Sequence, residues 1–211
     1  MYRTLAVLLM LVPGVMTGQE PIVRKSALQV NTVKHGDLIQ MVRGLGVLKA
    51  ERTAEVKIAS SMVQRVELGQ TSVIDTGQRT VTGRVVRIHV GGADDMTLIE
   101  VALDSDPPQG VRPGQNVDGA IHVLTLKDVV YVGGPADELS ALSERTGTMF
   151  KMEPDGQHAV RTHVEFGLTG WSTGETGYEK VIEIRSGLRP GNTVIMSDMS
   201  AFKDKERVRV Q

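Results

Sequence analysis

Apolar residues in this chain recur at every second position, and glycine cuts each run short soon after it forms. A period of two puts alternate side chains on opposite faces of an extended backbone, whereas a helix needs returns at three and four. Leu28, Val30 and Thr32 alternate with Gln29 and Asn31, and Arg207-Val208-Arg209-Val210 repeats the pattern at the far end. Further runs of strand character cover 38–43, 55–59, 71–75, 80–88, 97–103, 117–126, 148–152, 159–164 and 180–184. Turn chemistry separates them at His35-Gly36-Asp37, Gly44-Leu45-Gly46, Thr76-Gly77-Gln78, Gly91-Gly92-Ala93-Asp94-Asp95 and Glu153-Pro154-Asp155-Gly156. Short strands at this spacing predict an all-β fold of antiparallel sandwiches or barrels. One helix of about two turns is expected, with Ser60 or Ser61 as cap, Met62, Val63 and Val66 as its apolar stripe and Gly69 as its stop. The longest stretches free of Gly and Pro, 47–68 and 192–211, keep no heptad period.

One eight-residue pattern occurs twice. Gly110-Val111-Arg112-Pro113-Gly114-Gln115-Asn116-Val117 matches Gly187-Leu188-Arg189-Pro190-Gly191-Asn192-Thr193-Val194, and Leu68-Gly69-Gln70-Thr71-Ser72-Val73 is a shorter echo without the proline. Proline presets φ for the second residue of a type II turn and glycine accepts the positive φ of the third. Pro113, Gly114, Pro190 and Gly191 are therefore structural turn residues, and the repeat reads as one strand-entry turn used twice, not as a duplicated gene.

Composition removes several function classes. Lys+Arg number 24 against Asp+Glu 25, a net charge of -1, so there is neither the basic excess of a general nucleic-acid binder nor a polybasic lipid patch. Aromatic residues make up only 3%, which supplies base-stacking surfaces poorly. Cysteine is absent, which excludes disulfides, thiolate metal sites, a cysteine nucleophile and a lipidated anchor. Residues 1–18 read as an export signal: Arg3, an apolar core from Thr4 to Val12, then Pro13-Gly14 and small residues to Gly18. That core falls short of the roughly 20 apolar residues of a membrane span.

No chemistry stands out. His89 and His122 are lone residues within strands, and His158 and His163 are five apart, so they point to opposite faces of extended chain. Asp94-Asp95 and Asp104-Ser105-Asp106 lack the spaced ligands and closing Glu of a calcium loop and read as turn-forming acids. The ten methionines are scattered, Met196 and Met199 being among the closest pairs beyond the leader, and core packing accounts for them better than soft-metal transport. No phosphate loop, dinucleotide fingerprint or nucleophile elbow is present. The reading is of a non-enzymatic protein with no catalytic residue, no cofactor and no metal.

An ordered series of residues nonetheless carries a resemblance. Leu68-Gly69-Gln70, Ile74-Asp75-Thr76, Gly83-Arg84-Val85, Arg87-Ile88, Val111-Arg112-Pro113-Gly114 and Val117-Asp118-Gly119 are similar to the β-barrel domain of periplasmic adaptor subunits, the membrane fusion proteins of resistance-nodulation-division efflux and related export pumps. Val130-Tyr131-Val132-Gly133 with Pro135-Ala136 resembles the crossing into their membrane-proximal domain. Met149-Phe150-Lys151, Asp155-Gly156, Ala159-Val160-Arg161, Ile182-Glu183-Ile184, Pro190-Gly191 and Ser197-Asp198-Met199-Ser200 resemble their C-terminal end. The resemblance covers roughly 28–211. It departs from the family where Gly46 to Thr53 leads almost directly into strand 54–59, with no lipoyl halves and no helical hairpin.

After the signal read at 1–18, the resemblance implies N-terminal strands of a membrane-proximal domain at 19–49, a β-barrel domain at 50–121 and the rest of an antiparallel membrane-proximal β domain at 122–211. It implies a periplasmic protein docked on an inner-membrane transporter, joined by full-length adaptor copies or copies of itself, without direct contact to an outer-membrane channel. Two rivals remain open: a periplasmic small-ligand or metal-binding module of an efflux system, and a secreted hydrolase with a dispersed active site.

Overall fold

The computed structural model describes residues 20–50, 52–89, 95–136, 139, 142–143, 145–174 and 177–211, so the leader at 1–18 and the turn expected at 91–94 lie outside the described residues. Among the described residues thirteen strands are linked in one hydrogen-bonded system, antiparallel except where β1 (Ile22–Val23) pairs in parallel with β13 (Arg207–Val210). The all-β expectation holds.

Two strands organise everything else. β3 (Lys34–Ala50) and β8 (Asn116–Gly133) pair antiparallel from Lys34↔Tyr131 to Val47↔Asn116, forming one long ribbon. At one end the ribbon closes a six-stranded barrel in the order β3, β4 (Thr53–Ala59), β7 (Met96–Leu103), β6 (Thr80–His89), β5 (Thr71–Asp75), β8 and back to β3. Strict alternation fills it: β4 buries Ala54, Val56 and Ile58, and β7 buries Thr97, Ile99, Val101 and Leu103. Val42, Leu48, Ile74, Val81, Val85, Val117 and Ile121 are buried in the same core.

The other end of the ribbon belongs to a second β unit. β8 pairs with β11 (Gly177–Ser186), β11 with β10 (His158–Gly174), and β10 returns to β3 at Trp171↔Ile39. β10 continues through β9 (Thr146–Met152) to β12 (Thr193–Ile195) and β2 (Val30–Thr32). Neighbouring residues of β9 serve opposite faces, Met149 in a core with Phe166, Ile182 and Val194, Phe150 in one with Ala159, Val208 and Val210. β3 serves both units: Leu38 packs with Tyr131 and Val181, while Val42 already belongs to the barrel.

Three local expectations need correction. The turn expected at His35-Gly36-Asp37 is strand, with a register shift between Gly36 and Leu38. Gly44-Leu45-Gly46 does not end a strand either. A Cβ at Gly44 would lie 1.9 Å from the Lys57 carbonyl oxygen, and one at Gly46 2.3 Å from that of Glu55, so these glycines let β3 pass close to β4 within the sheet. The helix expected near Ser60 is a 3₁₀ segment, Ser60–Arg65, with no side-chain cap; the Ser60 hydroxyl bonds Thr97 Oγ1 at 3.1 Å instead. Met62 is exposed and Val66 is buried just past the segment's end.

Candidate interaction surface

Odd-numbered residues of β3 face outward because Val42 and Leu48 face the barrel core. That puts Leu45 on the wall, 73% exposed, the most exposed large hydrophobic among the described residues. Across the sheet it lies opposite Lys57 on one side and Asp118 on the other, and Lys57 lies opposite Leu98. A groove of about 260 Å³ opens beside it, lined by Leu45, Val47, Leu98, Lys57, Glu55 and Asn116. A second, of about 270 Å³, runs along Arg43, Leu45 and Asp118. Leu45 is thus an apolar ridge between two shallow furrows whose rims carry charges of both signs.

The β10–β11 hairpin reaches the middle of the ribbon nearby. Gly170 allows the approach, since a Cβ there would lie 2.4 Å from Leu38 Cδ2. Trp171, the only tryptophan in the chain, sits between two cations: the Arg43 guanidinium carbon 5.7 Å from its ring centroid and Lys180 Nζ 5.3 Å from it. Further out, Tyr178 meets His122 edge to face at 6.0 Å, its hydroxyl 3.4 Å from Nε2. Burial lowers the His122 pKa below the usual histidine range. The low aromatic content hid this group, because strand register, not spacing in sequence, brings Arg43, Trp171 and Lys180 together.

Pro113-Gly114 and Pro190-Gly191 form the same device. Gly114 has φ 90° and Gly191 φ 88°. Gln115 N–H donates to Arg112 O at 3.1 Å, and Asn192 N–H to Arg189 O at 3.0 Å, closing both turns. Each glycine N–H then donates to one opposing residue, Gly114 to Leu48 O (2.7 Å) and Gly191 to Val33 O (2.8 Å), whose own N–H returns a bond to Gln115 O or Asn192 O. This is a type II turn running into a glycine bulge. The proline-free echo has the same bonds: Gly69, φ 84°, donates to Val85 O, and Val85 donates to Gln70 O. Leu48, Val33 and Val85 are all buried, so each turn pins a strand at a core residue.

The histidines are dispersed. His35 lies 3.4 Å from Asp128, His89 3.7 Å from Glu100, and His163 is exposed on β10. His158 joins a cluster that its distance from His163 gave no sign of: ligating atoms of Glu153, Asp155 and His158 lie within 4.8 Å of one another. Protein donors occupy these groups. Arg207 holds Glu153 at 2.5 Å and Glu20 at 3.0 Å, while His158 bridges Asp155 at 2.5 Å and Glu20 at 3.5 Å. The His158 hydrogen bond holds the Asp155 carboxyl down at about 2. Asp104 and Asp106 form a turn whose carbonyls accept from Arg52 and Arg79. Met196 and Met199 line one cavity together with Met149, which sequence spacing could not have linked to them.

No protein-family model and no curated protein matches the chain. Among solved structures it is similar to ZneB from Cupriavidus metallidurans, at 16% identity with a TM-score of 0.30, over 70% of this chain. The chain spans 40% of the length of that protein.

Proposed function

We propose that this chain is a periplasmic adaptor-type subunit that docks on the inner-membrane transporter of a bacterial efflux or secretion pump and performs no covalent chemistry. The observation that carries the reading is the β3–β4 connection. The residues that resemble adaptor subunits fall on two closed β units, and β3 and β4 pair directly with each other as far as Ala50↔Thr53. That is where a full-length adaptor of the resembled family would leave for its lipoyl domain and helical hairpin. The two units supply walls with which to pack on a transporter, and among the described residues there is no helical hairpin to reach an outer-membrane channel. The Leu45 ridge and its furrows are the surface best suited to that packing, because a large apolar side chain held in water gains free energy by being covered.

The experiment is a pull-down by the tagged chain from membranes containing its cognate inner-membrane transporter. The unaltered chain should retain the transporter, Leu45→Glu should retain little of it, and neither should retain the outer-membrane channel. Leu45 is exposed, so this change leaves the barrel core intact. Direct capture of the channel, or no capture of the transporter, would overturn the proposal.

A further inference from the structure

The strand ladders leave one edge of β9 bare among the described residues. Glu153 N–H donates to His158 O at 2.8 Å and Phe166 N–H to Arg145 O at 2.9 Å, one at each end of an unbroken β9–β10 ladder. Backbone bonding alternates along an antiparallel pair, so Gly147, Met149 and Lys151 bond to β10 while Thr146, Thr148 and Phe150 turn their N–H and C=O groups the other way. On that side β12 reaches β9 only at Lys151↔Val194. Beyond Ile195 the chain stays with Gln29 instead: Met196 N–H donates to Gln29 O at 2.7 Å, and Gln29 N–H to Ser197 Oγ at 2.6 Å. Among the described residues no backbone group answers Thr146 or Thr148.

The bare edge borders a cavity of about 460 Å³, with Thr148, Met149 and Phe150 on one side, the stretch 195–200 on the other, and Leu142 and Lys203 beside them. We infer that this cavity is a receptor slot for one added β-strand, an extended apolar segment of a partner polypeptide that carries an acidic side chain. A strand laid about 4.8 Å from β9 takes up the hydrogen-bonding groups of Thr146 and Thr148. Its side chains then alternate between two apolar surroundings. Met149 belongs to the core that holds Phe166 and Met196, and Phe150 to the core that holds Ile195 and Val208. A strand covered on both faces is a continuous apolar run, rich in Val and Ile.

The acidic side chain follows from what the lining leaves unpaired. Asp198 already accepts from Ser200 N–H at 2.8 Å and from the Ser200 hydroxyl at 3.1 Å. Lys203 is exposed, and its ammonium holds no carboxylate among the described residues, so it is the charge left for the segment to answer. The walls select a free segment over a second copy of this chain. A strand already built into a sheet, such as β9 of another copy, brings its neighbour with it and does not fit between β9 and the stretch 195–200.

The inference is independent of transporter docking, and its test uses the purified chain alone. A random library of displayed heptapeptides is panned against it, and the selected peptides are synthesised and titrated. They should be apolar, free of proline and marked by an Asp or Glu, and on binding they should slow hydrogen exchange at the Thr148 amide. Thr148→Pro removes that edge donor without touching the β9–β10 ladder, so the variant should fold and bind at least about tenfold more weakly. Lys203→Glu should weaken binding several-fold, and more at low salt. Methylating the peptide nitrogens of one alternate set should abolish binding, and methylating the other set should not. That contrast decides the matter if Thr148→Pro does not fold. No selected peptide that protects Thr148, equal binding by a folded Thr148→Pro variant, or indifference to N-methylation would each refute the slot. Self-association of the unaltered chain that Thr148→Pro abolishes would refute the choice of a free segment.

Discussion

Gly187, just past the end of β11, and Gly191, in the turn that follows, both have positive φ, and the structure predicts different costs for adding one methyl group to each. At Gly191, φ 88°, an added Cβ meets nothing within 4 Å. Alanine there bears only the backbone strain of a left-handed L-residue, about 1–2 kcal/mol. Stiffening of the unfolded chain offsets about 0.4–1 kcal/mol of that. The net loss is about 1 kcal/mol, or about 2–4 °C in melting temperature for a chain of this size. At Gly187, φ 94°, the same strain applies, and the Cβ would also lie 2.0 Å from the His163 carbonyl oxygen, where real Cβ contacts essentially never fall below 3.0 Å. The His163 carbonyl belongs to a strand paired with β9, so β10 or the chain after β11 must shift, at a further cost of about 1–3 kcal/mol by analogy with overpacked cores. Gly187→Ala should therefore lower the melting temperature by about 5–15 °C. The assay is thermal unfolding of Gly187→Ala, Gly191→Ala and Gly114→Ala side by side, with Gly114→Ala matching Gly191→Ala because its site is equally open. Equal melting temperatures for the alanine variants at 187 and 191, or a larger loss at 191, would refute the assignment of the second cost to the His163 carbonyl.

The Asp155 carboxyl, lowered from 3.8 to about 2 chiefly by its hydrogen bond with His158, stabilises the folded chain above the unfolded pKa and loses that contribution as pH falls through the folded one. Acid titration of the parent against Asp155→Asn should show a stability difference above about pH 4 that disappears by about pH 2; a difference that grows on acidification would contradict the assignment. Glu183, whose Oε2 accepts from Leu168 N–H at 3.1 Å within the irregular stretch of β10, fills the space that Gly167 leaves open, since a Cβ there would lie 1.9 Å from that oxygen. Glu183→Ala and Gly167→Ala should each cost about 1–3 kcal/mol in denaturant unfolding, and the double change should cost less than their sum because the clash vanishes with the carboxylate.

The fold was legible wherever one residue type dictated one conformation. Pro113-Gly114 and Pro190-Gly191 announced their turns because no other pair presets one φ and frees the next so readily. The runs at 55–59 and 97–103 read as strands and are strands, and the structure adds which face each buries: Val56 and Ile58 on β4, Ile99 and Val101 on β7. Glycine was misread where its purpose was close approach and not chain reversal, as at Gly44 and Gly46, and a single sequence cannot separate the two, since the cause is the carbonyl of the facing strand. The candidate surfaces were nearly illegible for the same reason. Trp171 meets Arg43, and Met149 joins Met196 and Met199, only through strands far apart in sequence, and Lys180 reaches Trp171 only through the register of the β10–β11 hairpin. The third turn, at Gly69, was seen only as a weak echo because its proline is missing, although its hydrogen bonds match the other two.

The ribbon of β3 and β8 also sets an order of events. Its paired residues lie about 70 to 100 positions apart, so the barrel cannot close until the chain has been made as far as β8. β3, among the first strands to emerge, must wait with one side open, and an open strand is a template for mispairing. A stop before β8 would leave β3, β4, β7, β6 and β5 as a sheet with two bare edges, and a stop just after it would yield a barrel whose protruding ribbon lacks the second unit. Neither fragment should be soluble on its own, and the two units should melt in one cooperative step even though their cores are separate.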